Sequence, residues 1–513
     1  MYLITSGEYV SQSLQAEFGK IPPAFLPLQN KRLFIHQLDK IPIDSLVYIS
    51  LPECFVLNQK DEIDLSQRNV VIIRIPSGLS LGKSITHALN SIGKYDLELK
   101  IIHGDTLFEN LNYSSNTYII ARTNDNYSWA YTNPEVKDNI VYAGFFSFSN
   151  QNILIRLLTN YNYDFIKAIE VYKNELKVNE LHTDIWYDFG HINTYYRSKS
   201  HLTSERSFNS ILIENQIVKK ESYKKDKILG EANWFNSIPV NLKVYTPQLF
   251  NSGERDGKGF YEIEYFFLST LSELFVFGFN NQFMWEKIFE SCQQFIEISY
   301  TLKPIKKIDQ PNFNNLYAKK TYSRLNEFKN ISKFDLERPI TLNGEEYPSL
   351  LQIVDITSAL IKPFNADEAC ISHGDFCFSN ILYDFRKQNI KVIDPRGLDF
   401  DNNQLIYGDI RYDVAKLAHS VIGLYDHIIA GYYELVENGP YNYNFKIFTN
   451  PVIENIQDKF LEAKFTGKSF EELDTFPILI HLFLSMLPLH ADNENRQKAL
   501  LMNALRLYNK IIK

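Results

Sequence analysis

The most constraining stretch of this chain is Ile371-Ser372-His373-Gly374-Asp375-Phe376-Cys377-Phe378-Ser379-Asn380-Ile381-Leu382-Tyr383. An Asp followed five positions later by an Asn puts a carboxylate and an amide on one loop. Fourteen residues past Asn380, a β-rich run ends in Ile393-Asp394-Pro395-Arg396-Gly397 and supplies a second carboxylate. Phosphoryl transfer asks for such a set, because its transition state is stabilised mainly by positioning and charge neutralisation. On that chemistry Asp375 accepts the proton of an attacking hydroxyl. Asn380 and Asp394 are then the magnesium ligands, with Asp394 bridging the metal to the β- and γ-phosphates of a nucleotide.

These residues, with Gly408-Asp409-Ile410-Arg411-Tyr412-Asp413-Val414-Ala415-Lys416-Leu417 downstream, resemble the aminoglycoside phosphotransferase and choline kinase family. That family is the small-molecule branch of the protein-kinase-like fold. The resemblance implies a bilobal α+β domain using ATP and Mg2+, with a phosphate-binding lysine on a strand and a glutamate on the following helix. Ile217-Val218-Lys219-Lys220 ends a strand, and Lys220 shares a face with Val218, which makes it the preferred lysine. Glu231, in a helix beginning near Ile228, is its expected partner. The phosphate loop falls on Ser207-Phe208-Asn209-Ser210, with Asn209 nearest the nucleotide. Tyr261-Glu262-Ile263-Glu264-Tyr265 resembles the hinge, which places Glu264 near the adenine. No APE motif follows Asp394, which argues against protein substrates. Pro395-Arg396 stands where choline kinases carry a Trp-Glu pair, which argues against choline.

At 513 residues the chain exceeds one ordinary hydrophobic core, so a second domain is expected. Residues 1–200 alternate β-rich runs (2–5, 46–50, 70–75, 99–103, 117–121, 141–148) with helical stretches (85–92, 164–174), as a parallel-sheet α/β domain would. A hairpin is expected at 209–214 and 216–220, then mainly helices at 263–303 and 403–438, with strands around 381–394. The boundary is set near residue 200, giving domains 1–200 and 201–513.

In the first domain, four pieces resemble nucleotidyltransferases that join a nucleotide to a sugar phosphate or alcohol phosphate. They are 17–33, with Pro22-Pro23-Ala24 and Arg32; His103-Gly104-Asp105; Tyr142-Ala143-Gly144; and Trp186-Tyr187-Asp188-Phe189-Gly190-His191. The resemblance implies a Rossmann-like fold with Asp105 and Asp188 as metal ligands and Gly7 in the nucleotide loop. The substrate would be a second NTP, CTP being one candidate. Two carboxylates from separate strands suit a magnesium ion that neutralises clustered phosphates. The loop departs from the family: it is short, carries Glu8, and has Ala24 where a lysine is expected.

Together the two resemblances imply a bifunctional enzyme. A kinase half phosphorylates a small hydroxylated metabolite, and a nucleotidyltransferase half activates the product, as precursors of surface polysaccharide or lipid decoration are made. The alternative is a kinase with an inactive first domain. A net charge of −8 argues against nucleic-acid partners. The longest apolar run, 476–489, contains Pro477 and His481 and reads as a buried helix rather than a membrane span. Four cysteines without metal-site spacing, and an opening strand without a basic leader, lead to the expectation of a cytoplasmic protein. The oligomeric state is not legible.

Overall fold

The computed structural model describes residues 1–111, 113–127, 129–132, 139–202, 210–305 and 312–512. It divides into two compact units: Met1–Leu202 with Phe277–Phe279, and Thr203–Val276 with Asn280–Lys513.

The first unit is built on a seven-stranded sheet. Its order is Asn179–His182, Thr117–Arg122, Ile140–Phe148, Leu99–His103, Tyr2–Thr5, Val47–Pro52, Val70–Ile75. Leu3, Ile4, Ile49, Leu51, Ile101 and Ile102 are buried, as expected of central strands covered on both faces. Helix Leu81–Ile92 presents Ile85, Ala88 and Leu89 to a core shared with Phe146, Leu154, Leu158 and Tyr172. Ser80 caps its start, and Gly93 ends it in the left-handed conformation (φ 67°).

The sheet is mixed rather than purely parallel. Ile140–Phe148 runs antiparallel to both Leu99–His103 and Thr117–Arg122. It follows Thr117–Arg122 in the chain and pairs directly beside it, and a strand that returns next to its predecessor without a crossover helix must reverse direction. Tyr2–Thr5 and Leu99–His103 are parallel, with Thr5 opposite His103, so the segments holding Gly7 and Asp105 leave the sheet at one edge. Ligands of open α/β sheets bind at such carboxyl ends.

The second unit has two lobes. In the smaller, an antiparallel sheet in the order Ser210–Glu214, Ile217–Ser222, Lys258–Glu264, Leu249–Arg255 packs against helix Lys225–Ser237. Ile228, Trp234 and Phe235 form the buried face of that helix. The larger lobe contains helices Gln282–Thr301, Ala318–Ser332, Leu350–Leu360, Ile410–Val421, Thr475–Met486 and Glu494–Ile512. It also holds the hairpin Ile381–Asp384 and Asn389–Val392.

One element departs from expectation. The stretch 403–438 is not helical throughout: helix Tyr425–Ile429 is followed by strand Tyr433–Glu437, which pairs with Asn442–Ile447. Burial alternates residue by residue along Asn442–Ile447, the period-two signature of a half-covered sheet. The apolar run at 476–489 forms helix Thr475–Met486, buried on nearly every side. Among the described residues, no helix is long and apolar enough to cross a membrane.

Arg32 and Asp61 form a buried ion pair in the first unit at 3.2 Å, with side chains 2% and 1% exposed. Arg32 also donates to the carbonyl of Phe25 at 2.9 Å, and Asn58 donates to Asp61 Oδ2 at 2.8 Å. Removing one member strands a buried charge. Asp61→Ala is expected to lower the unfolding free energy of this unit by ~3–5 kcal/mol, measured by urea denaturation.

Candidate active sites

The small lobe delivers a lysine by strand alternation. Lys220 and Ser222 point inward on Ile217–Ser222, whereas Lys219 points outward to Glu221 at 3.2 Å. Lys220 Nζ donates to Glu231 Oε2 at 2.7 Å and lies 3.0 Å from Asp394 Oδ1. The Tyr261 hydroxyl donates to the same Glu231 oxygen at 2.9 Å and lies 3.3 Å from Asp394 Oδ1. Burial disfavours the charge on Lys220, but Asp394 and Glu231 outweigh it and raise its pKa. Burial raises the pKa of Glu231, against the pull of Lys220. Lys220, Glu231 and Asp394, three of the residues singled out by sequence, therefore meet in one network.

Asp394 has a positive φ of 55°, and Gly397 follows at 60°. A Cβ on Gly397 would stand 2.0 Å from the carbonyl oxygen of Gly230, so the loop can approach helix Lys225–Ser237 this closely only with glycine there.

The catalytic loop is organised by Asp413, which is fully buried. Its carboxylate accepts from the backbone N–H of His373 (2.8 Å) and Gly374 (2.7 Å) and from the Ser372 hydroxyl (2.9 Å). Burial raises its pKa to about 7, and those donors only partly oppose the rise. Trp234, from the small-lobe helix, donates to the carbonyl of Ser372 at 2.8 Å.

So held, Asp375 keeps 40% of its side-chain surface exposed. Asn380 Nδ2 donates to Asp375 Oδ2 at 3.0 Å, and Lys416 Nζ lies 2.9 Å from Asp375 Oδ1. Enclosure by protein disfavours the charge on Asp375, but the Lys416 ammonium outweighs it and holds the carboxyl well below the usual range. The backbone N–H of Ile393 donates to the carbonyl of Asn380 at 3.0 Å, which sets the segment leading from Asn389–Val392 to Asp394 against the loop that carries Asp375. The Asn380 amide nitrogen is turned to Asp375, which leaves the amide oxygen as its donor to a metal. An amide oxygen and a carboxylate are the hard ligands that Mg2+ takes.

Two further expected residues stand apart. Asn209 and the phosphate loop at 207–209 lie outside the described residues. Glu264 is exposed at the end of Lys258–Glu264, where its Oε2 accepts from the backbone N–H of Gln248 at 3.4 Å.

In the first unit, Asp105 and Asp188 come together because Tyr187–Asp188 pairs with Thr106–Leu107. The N–H of Phe189 donates to the carbonyl of Asp105 at 2.8 Å. Gly190 lies between the two carboxylates: a Cβ there would be 2.6 Å from Asp105 Oδ2 and 3.4 Å from Asp188 Oδ1. The two acids thus form a cradle that one cation would fill. Burial, then the negative charge of Asp188, raises the Asp105 pKa to about 7. His191 Nδ1 lies 3.3 Å from Asp188 Oδ2, and the Thr194 hydroxyl donates to that oxygen. Asp188 lines a cleft of about 400 Å3 with Arg122, Trp129, Trp186 and Arg197. Gly7 follows strand Tyr2–Thr5, and a Cβ there would meet Ile75 Cγ1 at 2.8 Å. Ser6 ties this loop down by accepting from the N–H of Ala24 at 3.0 Å.

Sequence reading did not single out Tyr261, Lys416 or Asp413 for these roles. Asp413 and Lys416 were visible only as parts of a motif. Tyr261 was visible only as the start of the hinge-like stretch, because its partners Glu231 and Asp394 come from a helix and a loop elsewhere in the chain.

No protein-family model matches the chain, and no curated protein matches it in sequence. Solved structures similar to it include a protein described as a glucose-1-phosphate thymidylyltransferase from Bacillus anthracis. That pair shares 10% identity, covering 40% of this chain and 97% of the other, with a TM-score of 0.31. A thermostable mutant of an aminoglycoside phosphotransferase shares 10% identity over 59% of this chain and 94% of its own, TM-score 0.37. A protein described as a fructosamine-3-kinase from Haemophilus somnus shares 15% identity over 61% and 90%, TM-score 0.33. The nucleotidyltransferases among these neighbours cover the N-terminal part and the kinases the rest. At these TM-scores the likenesses assign no function to this chain.

Asp413→Ala would leave two backbone N–H groups and one hydroxyl of the catalytic loop without their acceptor. Each such loss costs ~1–3 kcal/mol. The second unit is expected to unfold at markedly lower urea concentration.

Proposed function

We propose that this protein is a bifunctional transferase. Its second unit phosphorylates a small hydroxylated metabolite with ATP, and its first unit transfers a nucleotidyl group from an NTP, CTP being one candidate, to the new phosphate. The observation that carries the kinase reading is the meeting of Lys220, Glu231 and Asp394 with a loop that presents Asp375 and Asn380.

In this reading Lys220 holds the nucleotide's phosphates, and Glu231 and Tyr261 fix its ammonium. Asp375 orients the acceptor hydroxyl and takes its proton. The acceptor oxygen bonds to the γ-phosphorus as the bond from that phosphorus to the β–γ bridging oxygen breaks, releasing ADP. Asp375 is a weak base beside Lys416, which suits a loose transition state in which the proton leaves late. Asn380 and Asp394 would hold magnesium, which supplies charge neutralisation at the phosphate oxygens.

The first unit would act on the product. An oxygen of its new phosphate bonds to the α-phosphorus of the NTP, and the bond to the α–β bridging oxygen breaks, releasing pyrophosphate. Asp105 and Asp188 are the carboxylates positioned to hold a magnesium ion there. Activated products of this kind suit surface polysaccharide or lipid decoration. A second reading, a kinase with an inactive first unit, is favoured by Ala24, which stands in the place of a phosphate-binding lysine.

Incubation with a metabolite pool, ATP and CTP, read by mass spectrometry, tests both halves. A phosphate gain followed by a nucleotidyl gain supports bifunctionality, whereas a phosphate gain alone supports the second reading. Asp375→Asn is expected to cut acceptor-dependent ADP formation by about 100-fold or more. Asp105→Ala and Asp188→Ala should abolish pyrophosphate release and leave ADP formation intact; retained pyrophosphate release would refute the metal-cradle assignment.

A further inference from the structure

A group of cationic side chains lies beside Asp375 on the large-lobe side. Tyr412 and Lys416 are four residues apart on helix Ile410–Val421, so they share a face. Lys416 Nζ is the group 2.9 Å from Asp375 Oδ1. Lys320 Nζ, from the first turn of Ala318–Ser332, donates to the Tyr412 hydroxyl at 3.1 Å. Arg396 runs along the backbone of Gly374: a Cβ on that glycine would lie 2.7 Å from Arg396 Cβ and 3.3 Å from its Cδ. Lys416 thus touches the residue expected to receive the acceptor's proton, and Lys320, Arg396 and Tyr412 adjoin Lys416 or the backbone just ahead of that residue.

Their charges are poorly compensated. Among the described residues, Lys416 is the member of this trio with a carboxylate in ion-pair range, and that carboxylate is Asp375 itself. The electrostatic neighbours of Lys320 are Tyr412, Arg396 and Lys416, two of them cations. Lys320 also occupies the start of a fifteen-residue helix with no acidic residue in its first turn. The positive end of that helix adds to the field instead of offsetting it. Burial, followed by Arg396 and Lys416, lowers the pKa of Lys320 despite its bond to Tyr412. Burial would raise the Tyr412 pKa, but the three cations override it and bring the hydroxyl down to about 8. Like charges gathered in a half-buried place repel, and an anion is what would relieve them.

We propose that Lys320, Arg396 and Tyr412 bind an anionic group on the phosphate acceptor, so that the acceptor is a hydroxylated carboxylate or phosphate monoester. Neutral sugars and ammonium alcohols are excluded. The inference rests on the kinase reading, and deepens it by giving the acceptor a charge. Lys416 has a separate part, since its ammonium is already paired with Asp375.

The test uses the full chain with Mg-ATP and four probes: D-glycerate, glycerol 3-phosphate, glycerol and choline. The anionic probes are expected to show kcat/KM about tenfold or more above glycerol and choline. The better of the two distinguishes carboxylate from phosphate. Lys320→Met and Arg396→Met should raise the acceptor KM by a similar factor with the ATP KM nearly constant, and Lys320→Arg should recover most of the loss. Turnover of glycerol or choline as good as that of the anions would overturn the proposal. So would a rise in ATP KM matching the rise in acceptor KM, since the cluster would then grip the nucleotide.

If no probe is phosphorylated, thermal stabilisation of the full chain by the same probes with Mg and a non-hydrolysable ATP analogue decides. A shift produced by the anions alone and lost in Lys320→Met supports the cluster; equal shifts overturn it. Failure of the kinase reading is read separately, as ATP consumption that survives Asp375→Asn.

Discussion

The charged centre of the second unit depends on one ammonium group held between two carboxylates. Lys220 comes from a strand of the small lobe, Glu231 from its helix and Asp394 from the loop after Asn389–Val392. A strand and the helix that follows it are thus locked to a loop far downstream in the chain by bonds of 2.7 and 3.0 Å. Neither Lys220 nor Glu231, 4% and 2% exposed, would be stable alone at its depth, because an isolated buried charge is far more costly than a paired one. The mutual dependence means that Lys220 is held in position by the protein's own groups. Tyr261 extends the network by donating into the carboxylate side without adding charge.

Asp413 plays the matching part on the other side of the site. A carboxylate that takes two backbone N–H groups and a hydroxyl fixes the path of the chain just ahead of Asp375. The left-handed conformations of Gly374 and Asp394 follow from that tight routing. At Asp394, which unlike glycine carries a Cβ, strain of this kind costs on the order of 1–3 kcal/mol and persists only where surrounding bonds over-determine it. Here the bonds from Asp413, Trp234 and Lys220 do so.

The first unit solves a different electrostatic problem. Two acids share one small space around Gly190, with His191 and Thr194 bonded to only one of them. The unshared member, Asp105, is the one whose ionisation is suppressed near neutral pH. Like-charged carboxylates in contact tolerate each other when a proton or a cation lies between them.

The sequence by itself determined what is local. The spacing of Asp375, Asn380 and Asp394 was legible because a loop and the next strand end are joined by a short chain. Lys220 was separable from Lys219 because side chains alternate along a strand. The strands at 2–5, 70–75 and 99–103 were legible from apolar β-rich runs. Only the tertiary structure decided the rest. The reversal of Ile140–Phe148 depends on which neighbour it pairs with, and the strand at Tyr433–Glu437 depends on a partner across a turn. The gathering of Lys320, Arg396 and Tyr412 beside the Lys416–Asp375 pair depends on how two helices and a loop pack. Local patterns fix an element's period and a loop's chemistry. Which charges end up beside one another is set by packing between distant segments, which no single window of sequence contains.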